Sequence, residues 1–307
     1  MNLFDLAIAW NWEFDADYIE GLDRECRHRE ISTFQIRPDN LSNVLDRLRE
    51  KDIRFNAFYD RASDADEAFL PLVKLLGDPG MRVINTHAKV SHAIDKATMH
   101  LEFITNGINV PRTIILSPYN HQRDITLLDR DLQWLGVSFV MKPANTTGGG
   151  TGVVLDAMTL DDVVKARQEH PNDKYLLQEF VHPQTYNGKR GWFRTYSVFR
   201  EIIICWWDDH THEYSELTKE EEQEYNLIGL RDVVGTIKHI CELDFFSSEI
   251  ASTEEGKFIV VDYVNEICDM RLKSKYHNGA PDKVVHQIER LVGEELADWL
   301  RGKEGAD

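Results

Sequence analysis

The sequence predicts an α/β protein of two or three packed units, and three observations support this fold class. Its 307 residues exceed the size of one average domain of about 150 residues. The first 85 residues alternate short apolar runs with helical patterns, which is typical of a parallel sheet with crossover helices. Beyond them, further strand patterns flank a glycine-rich segment. We therefore expect an N-terminal unit, residues 1–85, followed by two more units, 86–182 and 183–307.

The N-terminal unit is predicted to contain four strands and three helices. The second helix shows the clearest signal, because Asn40 can cap it and apolar residues from Leu41 to Leu48 recur at helical spacing. Parallel sheets bind ligands at the carboxyl ends of their strands, so Asn85 and His87, which follow the fourth strand, are candidate substrate contacts. The predicted strands are 6–10, 31–36, 53–59 and 81–84, and the predicted helices are 17–29, 41–51 and 66–76.

The two later units mix strands and helices in a less regular order. Gly107 and Pro111 mark a turn before a strand, and Thr159 caps a helix. The middle unit is predicted to have helices 91–106, 124–135 and 160–168 and strands 112–116, 139–142, 153–155 and 175–181. The last unit is predicted to have β-rich stretches 193–207, 243–250 and 257–264, a charged helix that begins near Thr218, and a closing helix 281–300.

Charge and cysteine content restrict the class of protein. The chain has 35 basic and 53 acidic residues, a net charge of −18, which argues against nucleic acid or an anionic membrane as a partner. Four scattered cysteines (Cys26, Cys205, Cys241, Cys268) indicate a reducing compartment and no zinc site. The first residues carry no basic leader, and the longest apolar run, 202–207, is too short to span a bilayer. We expect a cytoplasmic protein in which an anionic ligand is met by a local basic pocket.

Residues 139–154, FVMKPANTTGGGTGVV, are the most informative stretch. A strand ends at Lys142, and the glycines that follow allow backbone N–H groups to approach phosphate oxygens. The spacing excludes a Walker A loop, because no lysine follows the glycines, and it excludes a dinucleotide fingerprint, which would need glycine at Val153 or Leu155. The stretch alone indicates either a phosphate loop or a plain glycine-rich hairpin.

Two further stretches carry candidate chemistry. The first is residues 175–183, YLLQEFVHP, which has two interpretations. Its backbone can offer a hydrogen-bond donor and an acceptor to adenine, with Glu179 accepting from the exocyclic amine. Alternatively, it is an edge strand that leaves a domain. In residues 243–271, a turn between two strands brings Glu249 near Asp262, with Asn265 close by. Two carboxylates and an amide oxygen suit Mg²⁺, although acidic hairpins are often simply solvated.

Taken in this order, the stretches resemble the ATP-grasp superfamily, the fold of D-alanine ligases, glutathione synthetases and ribosomal-protein glutamate ligases. Asp95-Lys96 followed by GINVPRTIIL, MKPANTTGGGTGV, QEFV and VVDYVNE match the family motifs in sequence order, and the resemblance covers nearly the whole chain. It implies the ATP-grasp fold, in which an N-terminal parallel α/β domain precedes two α+β subdomains that clasp the nucleotide.

The resemblance also implies roles for individual residues. Arg194 would steady the transferred phosphoryl group, and Arg271 and Lys273 would meet an acceptor carboxylate or phosphate, unless they are a solvated basic pair. The implied ligands are ATP and one or two Mg²⁺ ions. The residues that would contact them are Lys96 and Lys142 for the phosphates, Gly148, Gly149, Gly150, Thr151 and Gly152 for the closing loop, Gln178, Glu179, Phe180 and Val181 for adenine, and Glu249, Asp262 and Asn265 for the metal.

The sequence departs from the family pattern at two positions. The metal strand usually places an acid two residues before its asparagine, where this chain has Tyr263. Either a β-bulge directs both Asp262 and Asn265 inward, or Glu266 takes part. Many members have an aspartate where this chain has Trp192, so the ribose contact is unassigned.

The implied activity is ATP-dependent ligation. A carboxylate would be activated as an acyl phosphate with release of ADP, and an amine would then displace the phosphate. Small molecules or peptides would supply the acid and the amine. The alternatives are a kinase of the same fold that phosphorylates a hydroxyl and a nucleotide-binding module without catalysis. The sequence leaves the choice between a monomer and a homodimer open.

Overall fold

A computed structural model describes residues 2–77, 80–146 and 150–304. Its first sheet is parallel, with strand order β2-β1-β3-β4, and helices connect the strands as the alternating pattern predicts. Short 3-10 turns at Glu13–Asp15 and Glu67–Phe69 precede the first and third helices. The elements are β1 (Asn2–Trp10), α1 (Ala16–His28), β2 (Thr33–Ile36), α2 (Leu41–Arg49), β3 (Ile53–Arg61), α3 (Leu70–Leu75) and β4 (Arg82–Ile84).

The second sheet is antiparallel and has the strand order β5-β8-β6-β7. Its strands carry the residues that flank the glycine-rich segment, and its helices pack on one side with Val163 and Tyr175 in their core. The elements from residue 87 to residue 179 are α4 (His87–Ala93), α5 (Lys96–Thr105), β5 (Thr113–Leu116), α6 (Asp129–Leu135), β6 (Phe139–Pro143), β7 (Val154–Ala157), α7 (Leu160–Glu169) and β8 (Tyr175–Glu179).

The third sheet is antiparallel, with strand order β13-β12-β11-β14-β15, and a small hairpin precedes it. One face packs on α5 and α9, and the opposite face packs with the first sheet, α1 and α10. The third sheet thus lies between the other parts of the fold. Its elements are β9 (Thr185–Tyr186), β10 (Lys189–Arg190), β11 (Trp192–Val198), β12 (Glu201–Trp207), β13 (Tyr214–Glu216), α8 (Lys219–Glu224), α9 (Gly229–Cys241), β14 (Phe245–Ser252), β15 (Phe258–Asn265) and α10 (Asp282–Glu304).

Two predicted helices differ in extent from the observed ones, and one observed helix was not predicted. The single helix predicted over 91–106 is two helices, because the Asp95 carboxylate accepts hydrogen bonds from the backbone N–H groups of Ala97 and Thr98 and caps a new helix at Lys96. The helix predicted over 124–135 forms only over Asp129–Leu135. Helix α9 was not predicted, although its buried residues have helical spacing.

The four cysteines are buried thiols without disulfide bonds. In the described ranges no helix combines the length and the apolar character needed to cross a lipid bilayer.

A fully buried ion pair joins the first sheet to the chain segment that follows β15. The Arg61 guanidinium donates to both carboxylate oxygens of Asp15, at 2.9 and 2.7 Å, and to the Cys268 carbonyl oxygen at 2.9 Å. Its charged plane also lies near the rings of Tyr18 and Tyr59. Because both charges are removed from water, removing one partner leaves the other uncompensated.

We expect Asp15→Asn to lower the free energy of unfolding by about 3–5 kcal/mol, the usual effect of leaving a buried charge unpaired. Urea denaturation measures the change. Asp17→Asn is the matched control, since Asp17 is close in sequence but pairs with an exposed lysine, Lys275. Equal stability of the two variants would contradict a coupling role for the buried pair.

Candidate functional site

Two register shifts in the β14–β15 hairpin place the candidate metal ligands side by side. Ser247 pairs with Asn265, Glu249 with Asp262 and Ile250 with Val260, so β15 has an extra residue on each side of the Glu249–Asp262 pair. Such bulges redirect side chains and are common near functional sites. Of the two alternatives that the sequence pattern left open, the β-bulge is present, and directly opposed residues of antiparallel strands share a face.

Three cations from separate elements act on the carboxylate of Asp262. They are Lys96 at the start of α5, Lys142 on β6 and Arg194 on β11. Burial alone would favour the neutral acid, but the charges of Lys96 and Lys142 and a hydrogen bond from Asn265 lower the pKa of Asp262 to about 2. Asp262 is therefore a carboxylate at neutral pH.

The ammonium group of Lys142 is held in a defined position. Its Nζ donates to the Val261 carbonyl oxygen at 2.8 Å and lies 5.1 Å from the centre of the Tyr263 ring. Lys142 is only 7% exposed, and Lys96 has the same exposure. Burial, reinforced by the charge of Lys96 and opposed by that of Asp262, lowers the pKa of Lys142 to about 8. A nearby anion would therefore stabilise the charged form of Lys142.

Arg194 and Glu249 form an ion pair across β11 and β14. A terminal nitrogen of the guanidinium binds one carboxylate oxygen, and the Trp192 indole N–H donates to the other at 3.2 Å. The Arg194 Nε is buried and has no acceptor among the described residues. Because a buried donor without a partner is costly, this nitrogen is suited to bind an anionic ligand.

The oxygen ligands fit Mg²⁺. The Asn265 side-chain N–H donates to Asp262 Oδ2 at 2.8 Å, which orients the amide and leaves its carbonyl oxygen available. In residues 2–77, 80–146 and 150–304, no three His, Cys, Asp or Glu side chains converge on a metal position. A metal here needs the amide oxygen and ligands from outside the protein, which is how Mg²⁺ binds beside phosphates.

Tyr263, which stands where the family pattern has an acid, connects the site to the second sheet. Its hydroxyl lies 2.6 Å from His100 Nδ1 on α5 and accepts a hydrogen bond from Gln178 Nε2 at 2.8 Å. Burial, with the nearby charge of Lys142, lowers the pKa of His100 to about 4, so the ring is neutral and its Nδ1 can accept a hydrogen bond from the Tyr263 hydroxyl. Sequence reasoning noted Tyr263 as a departure but missed this network.

The candidate adenine-binding residues end strand β8. Gln178 is 2% exposed, and its side chain is engaged with Thr113 and Tyr263. The Glu179 carboxylate accepts from the Arg112 backbone N–H at 2.8 Å and pairs with the Arg112 guanidinium. Both side chains thus have partners in the protein. Phe180 and Val181 follow them as half-buried residues, which leaves the backbone as the main group available to a base.

The glycine-rich segment is anchored at its start by Asp173, which sequence reasoning missed. The carboxylate of Asp173 accepts hydrogen bonds from the backbone N–H groups of Asn145 and Thr146 and from both of their side chains, at 2.8–3.1 Å. Gly148 and Gly149 lie outside the described residues. Thr151 is exposed, and Gly150 and Gly152 both have positive φ. A Cβ at Gly152 would lie 2.7 Å from His170 Nε2, so no other residue fits there unchanged.

The remaining predicted substrate residues differ in whether their side chains are free to contact a substrate. The Asn85 amide oxygen accepts from the backbone of Asp244 and Phe245, and the Lys273 ammonium binds the Tyr214 carbonyl oxygen. These two side chains therefore hold the fold together. The other two are more accessible: His87 lines a cavity, and Arg271 pairs with Asp269 while its guanidinium lies over the rings of Trp12 and Tyr276.

Comparison with known proteins identifies the fold. No protein-family model and no curated protein matches the sequence significantly. Solved structures match almost the full chain, including a RimK domain protein ATP-grasp from Sphaerobacter thermophilus, with 18% identity, a TM-score of 0.65, and coverage of 94% of this chain and 98% of that one. The macrocyclase MdnC from Microcystis aeruginosa, bound with precursor peptide MdnA, matches with 12% identity, a TM-score of 0.64 and coverage of 95% and 99%. The ATP-grasp ligase PsnB, complexed with minimal precursor, Mg and ADP, matches with 13% identity, a TM-score of 0.59 and coverage of 95% and 98%.

We expect Tyr263→Phe to destabilise the protein, because it removes the hydroxyl to which Gln178 donates and which binds His100. Leaving one such buried group unsatisfied costs about 1–3 kcal/mol. Urea denaturation measures this loss against Tyr119→Phe, whose half-buried hydroxyl accepts only a long, 3.3 Å hydrogen bond from the exposed Gln168. If both variants unfold at the same urea concentration, the network does not stabilise the site.

Proposed function

We propose that this chain, which has the ATP-grasp fold of the structures above, is an ATP-dependent ligase. It would activate a carboxylate as an acyl phosphate and join it to an amine, with release of ADP and phosphate. The observation that carries the proposal is the convergence of Lys96, Lys142 and Arg194 on Glu249 and Asp262. Three cations held beside two carboxylates, in a chain of net charge −18, supply the local positive charge that a nucleoside triphosphate requires.

The nucleotide would lie between the second and third sheets. Lys96 and Lys142 would neutralise its phosphates, and the backbone after Gln178 would receive adenine. The loop anchored by Asp173 would close over the phosphates, and its glycines let backbone N–H groups approach phosphate oxygens. PsnB, complexed with Mg and ADP, supports this use of the fold.

Glu249, Asp262 and Asn265 would hold one or two Mg²⁺ ions. When bound, the metal would neutralise the negative charge that develops on the transferred phosphoryl group. Arg194 would lose part of its contact with Glu249 and turn to donate to the phosphoryl oxygens; its Nε, which has no acceptor among the described residues, would gain one in this rearrangement. This makes the Arg194–Glu249 pair the part of the site that we expect to rearrange on nucleotide binding.

The reaction would proceed in two displacements. A substrate carboxylate oxygen attacks the γ-phosphorus as the bond to the bridging oxygen breaks, which gives an acyl phosphate and ADP. The amine nitrogen then attacks the acyl carbon, phosphate leaves, and the nitrogen loses a proton to yield the amide. Lys142 and Arg194 would stabilise charge on the phosphoryl oxygens in the first step, and positioning provides most of the remaining rate enhancement.

The acid and amine substrates would be small molecules or peptides. MdnC is bound with a precursor peptide, which supports the peptide class for this fold. The substrates would bind in the cleft between the first sheet and the third, because the carboxyl ends of β3 and β4 open onto this cleft.

The direct test is ADP release from ATP and Mg²⁺ in the presence of acid and amine panels, with product identified by mass spectrometry. We expect Lys142→Ala and Asp262→Ala each to lower turnover by about 100-fold or more, as loss of a group that stabilises the transition state does. Lys165→Ala and Asp161→Ala, exposed residues of α7, are the matched controls. A stable phosphate ester formed on a hydroxyl group without amine would contradict ligation and indicate a kinase.

We expect nucleotide affinity to fall as pH rises from 7 to 9. The pKa of Lys142, lowered to about 8, means that the free protein loses this charge above pH 8 and must take up a proton to bind a polyanion. At one pH unit above the pKa, the loss in affinity for a non-hydrolysable ATP analogue approaches about tenfold. Calorimetry measures it, and Lys142→Arg should abolish the pH dependence because arginine stays charged. A pH-independent wild-type affinity would contradict this role of Lys142.

A further inference from the structure

The two lysines proposed to contact the phosphates come from different elements and carry like charges. Lys96 begins α5 and Lys142 lies on β6, and each is 7% exposed. Burial is the main reason that the pKa of Lys142 is lowered, and the charge of Lys96 adds to it, so the two cations repel each other. Their separation therefore depends on how the backbone segments that carry them are held.

A closed ring of contacts joins these two backbone segments. The Lys96 backbone N–H donates to the Ala144 carbonyl oxygen at 3.1 Å, and the Ala144 N–H donates to the Lys174 carbonyl oxygen at 2.8 Å. The Lys174 ammonium group pairs with the carboxylate of Asp95, which precedes Lys96 in the chain. Because Ala144 is the second residue after Lys142, the ring connects the start of α5, the end of β6 and the start of β8.

The Asp95 carboxylate uses both of its oxygens in this ring. Its Oδ1 accepts from the backbone N–H groups of Ala97 and Thr98 and caps α5, whereas its Oδ2 accepts from Lys174 Nζ. Burial alone would raise the pKa of Asp95, but the hydrogen bonds from Lys174 and from the helix backbone lower it, so the group is charged at neutral pH. The two contacts can be separated, because asparagine caps a helix as well as aspartate does but carries no charge.

Lys174 stands in the turn before β8, directly after Asp173, the residue that anchors the start of the glycine-rich segment. Its side chain is 36% exposed, and among the described residues its ammonium group pairs with Asp95 alone. The first N–H groups of a helix have no partner within that helix, and the Ala144 carbonyl oxygen supplies one for Lys96. Two consecutive residues of one turn, Asp173 and Lys174, therefore hold the glycine-rich segment and the start of α5.

We propose that Lys174 is a positioning residue, which through its ion pair with Asp95 sets the place of Lys96 relative to Lys142 on a bound polyphosphate. This role rests on the proposed function, in which both Lys96 and Lys142 contact the phosphates. Lys174 acts through Asp95 and does not touch the nucleotide. The other links of the ring are backbone hydrogen bonds, so Asp95 and Lys174 are the members whose contribution a side-chain substitution can remove.

The test measures affinity for a non-hydrolysable ATP analogue with Mg²⁺ by calorimetry. We expect Lys174→Met to weaken binding about tenfold, the lower end of the loss that follows removal of a residue that orients a ligand-binding group. Asp95→Asn should weaken binding to the same extent, because it removes the ion pair and keeps the cap. The double variant should bind no more weakly than either single variant, since both substitutions remove one interaction. Lys174→Arg, which keeps the positive charge, should restore most of the affinity.

Two further measurements separate positioning from loss of the fold. Urea denaturation should show similar stability for the wild type and Lys174→Met, because ion pairs that water reaches contribute little to stability. Hydrogen exchange at the Lys96 backbone N–H reports on the ring without nucleotide, and we expect faster exchange in Lys174→Met and in Asp95→Asn. Lys283→Met is the matched control, since Lys283 also pairs with a carboxylate, that of Glu216, but on the exposed surface of α10.

Wild-type affinity in Lys174→Met would overturn the inference, and so would additive losses in the double variant. Weak binding in Lys174→Met with wild-type binding in Asp95→Asn would also overturn it, because Lys174 would then contact the nucleotide itself. If the wild type binds no nucleotide, the proposed function fails and the role at a phosphate fails with it, whereas faster exchange at Lys96 still shows that Lys174 holds α5. If the wild type binds the analogue and neither substitution changes affinity or exchange, the positioning role fails alone.

Discussion

The site depends on one electrostatic constraint, the convergence of three cations on the carboxylate of Asp262. Lys96, Lys142 and Arg194 come from α5, β6 and β11, so no two of them are neighbours in sequence. Their mutual repulsion in a buried setting would be unfavourable without Asp262 and Glu249 between them. The negative charge of those two residues therefore holds together elements of the second and third sheets, and it keeps three cations close together in a strongly acidic chain.

Buried polar contacts of the residues before and after Asp262 hold it in position. Before it, the Val261 carbonyl oxygen accepts from Lys142, and after it, Tyr263 is held by His100 and Gln178. Further on, the Cys268 carbonyl oxygen is bound by Arg61 of the first sheet. The register shifts in β15 give this strand the extra residues that allow Asp262 and Tyr263 to serve different sides, one toward the cations and one toward the second sheet.

Local sequence patterns predicted the structural features that depend on residues close together in the chain. Most strands of the three sheets, the cap at Thr159 and the Glu249–Asp262 pairing were predictable, because they follow from periodicity, capping and the length of a hairpin. The short edge strand β13 was not predicted. Contacts between distant residues were not predictable. The cap at Asp95 divides one helical pattern into two, Asp173 anchors a loop 28 residues before it, and Asn85 and Lys273 are taken up by backbone partners in another part of the fold.

The most direct test of the account is a crystal structure with a non-hydrolysable ATP analogue and Mg²⁺. We expect the γ-phosphate between Lys142 and Arg194, with Mg²⁺ bound by Asp262 and by the carbonyl oxygen of Asn265. A nucleotide bound away from Lys96 and Lys142, or a metal coordinated by Glu266 instead of Asp262, would contradict the account.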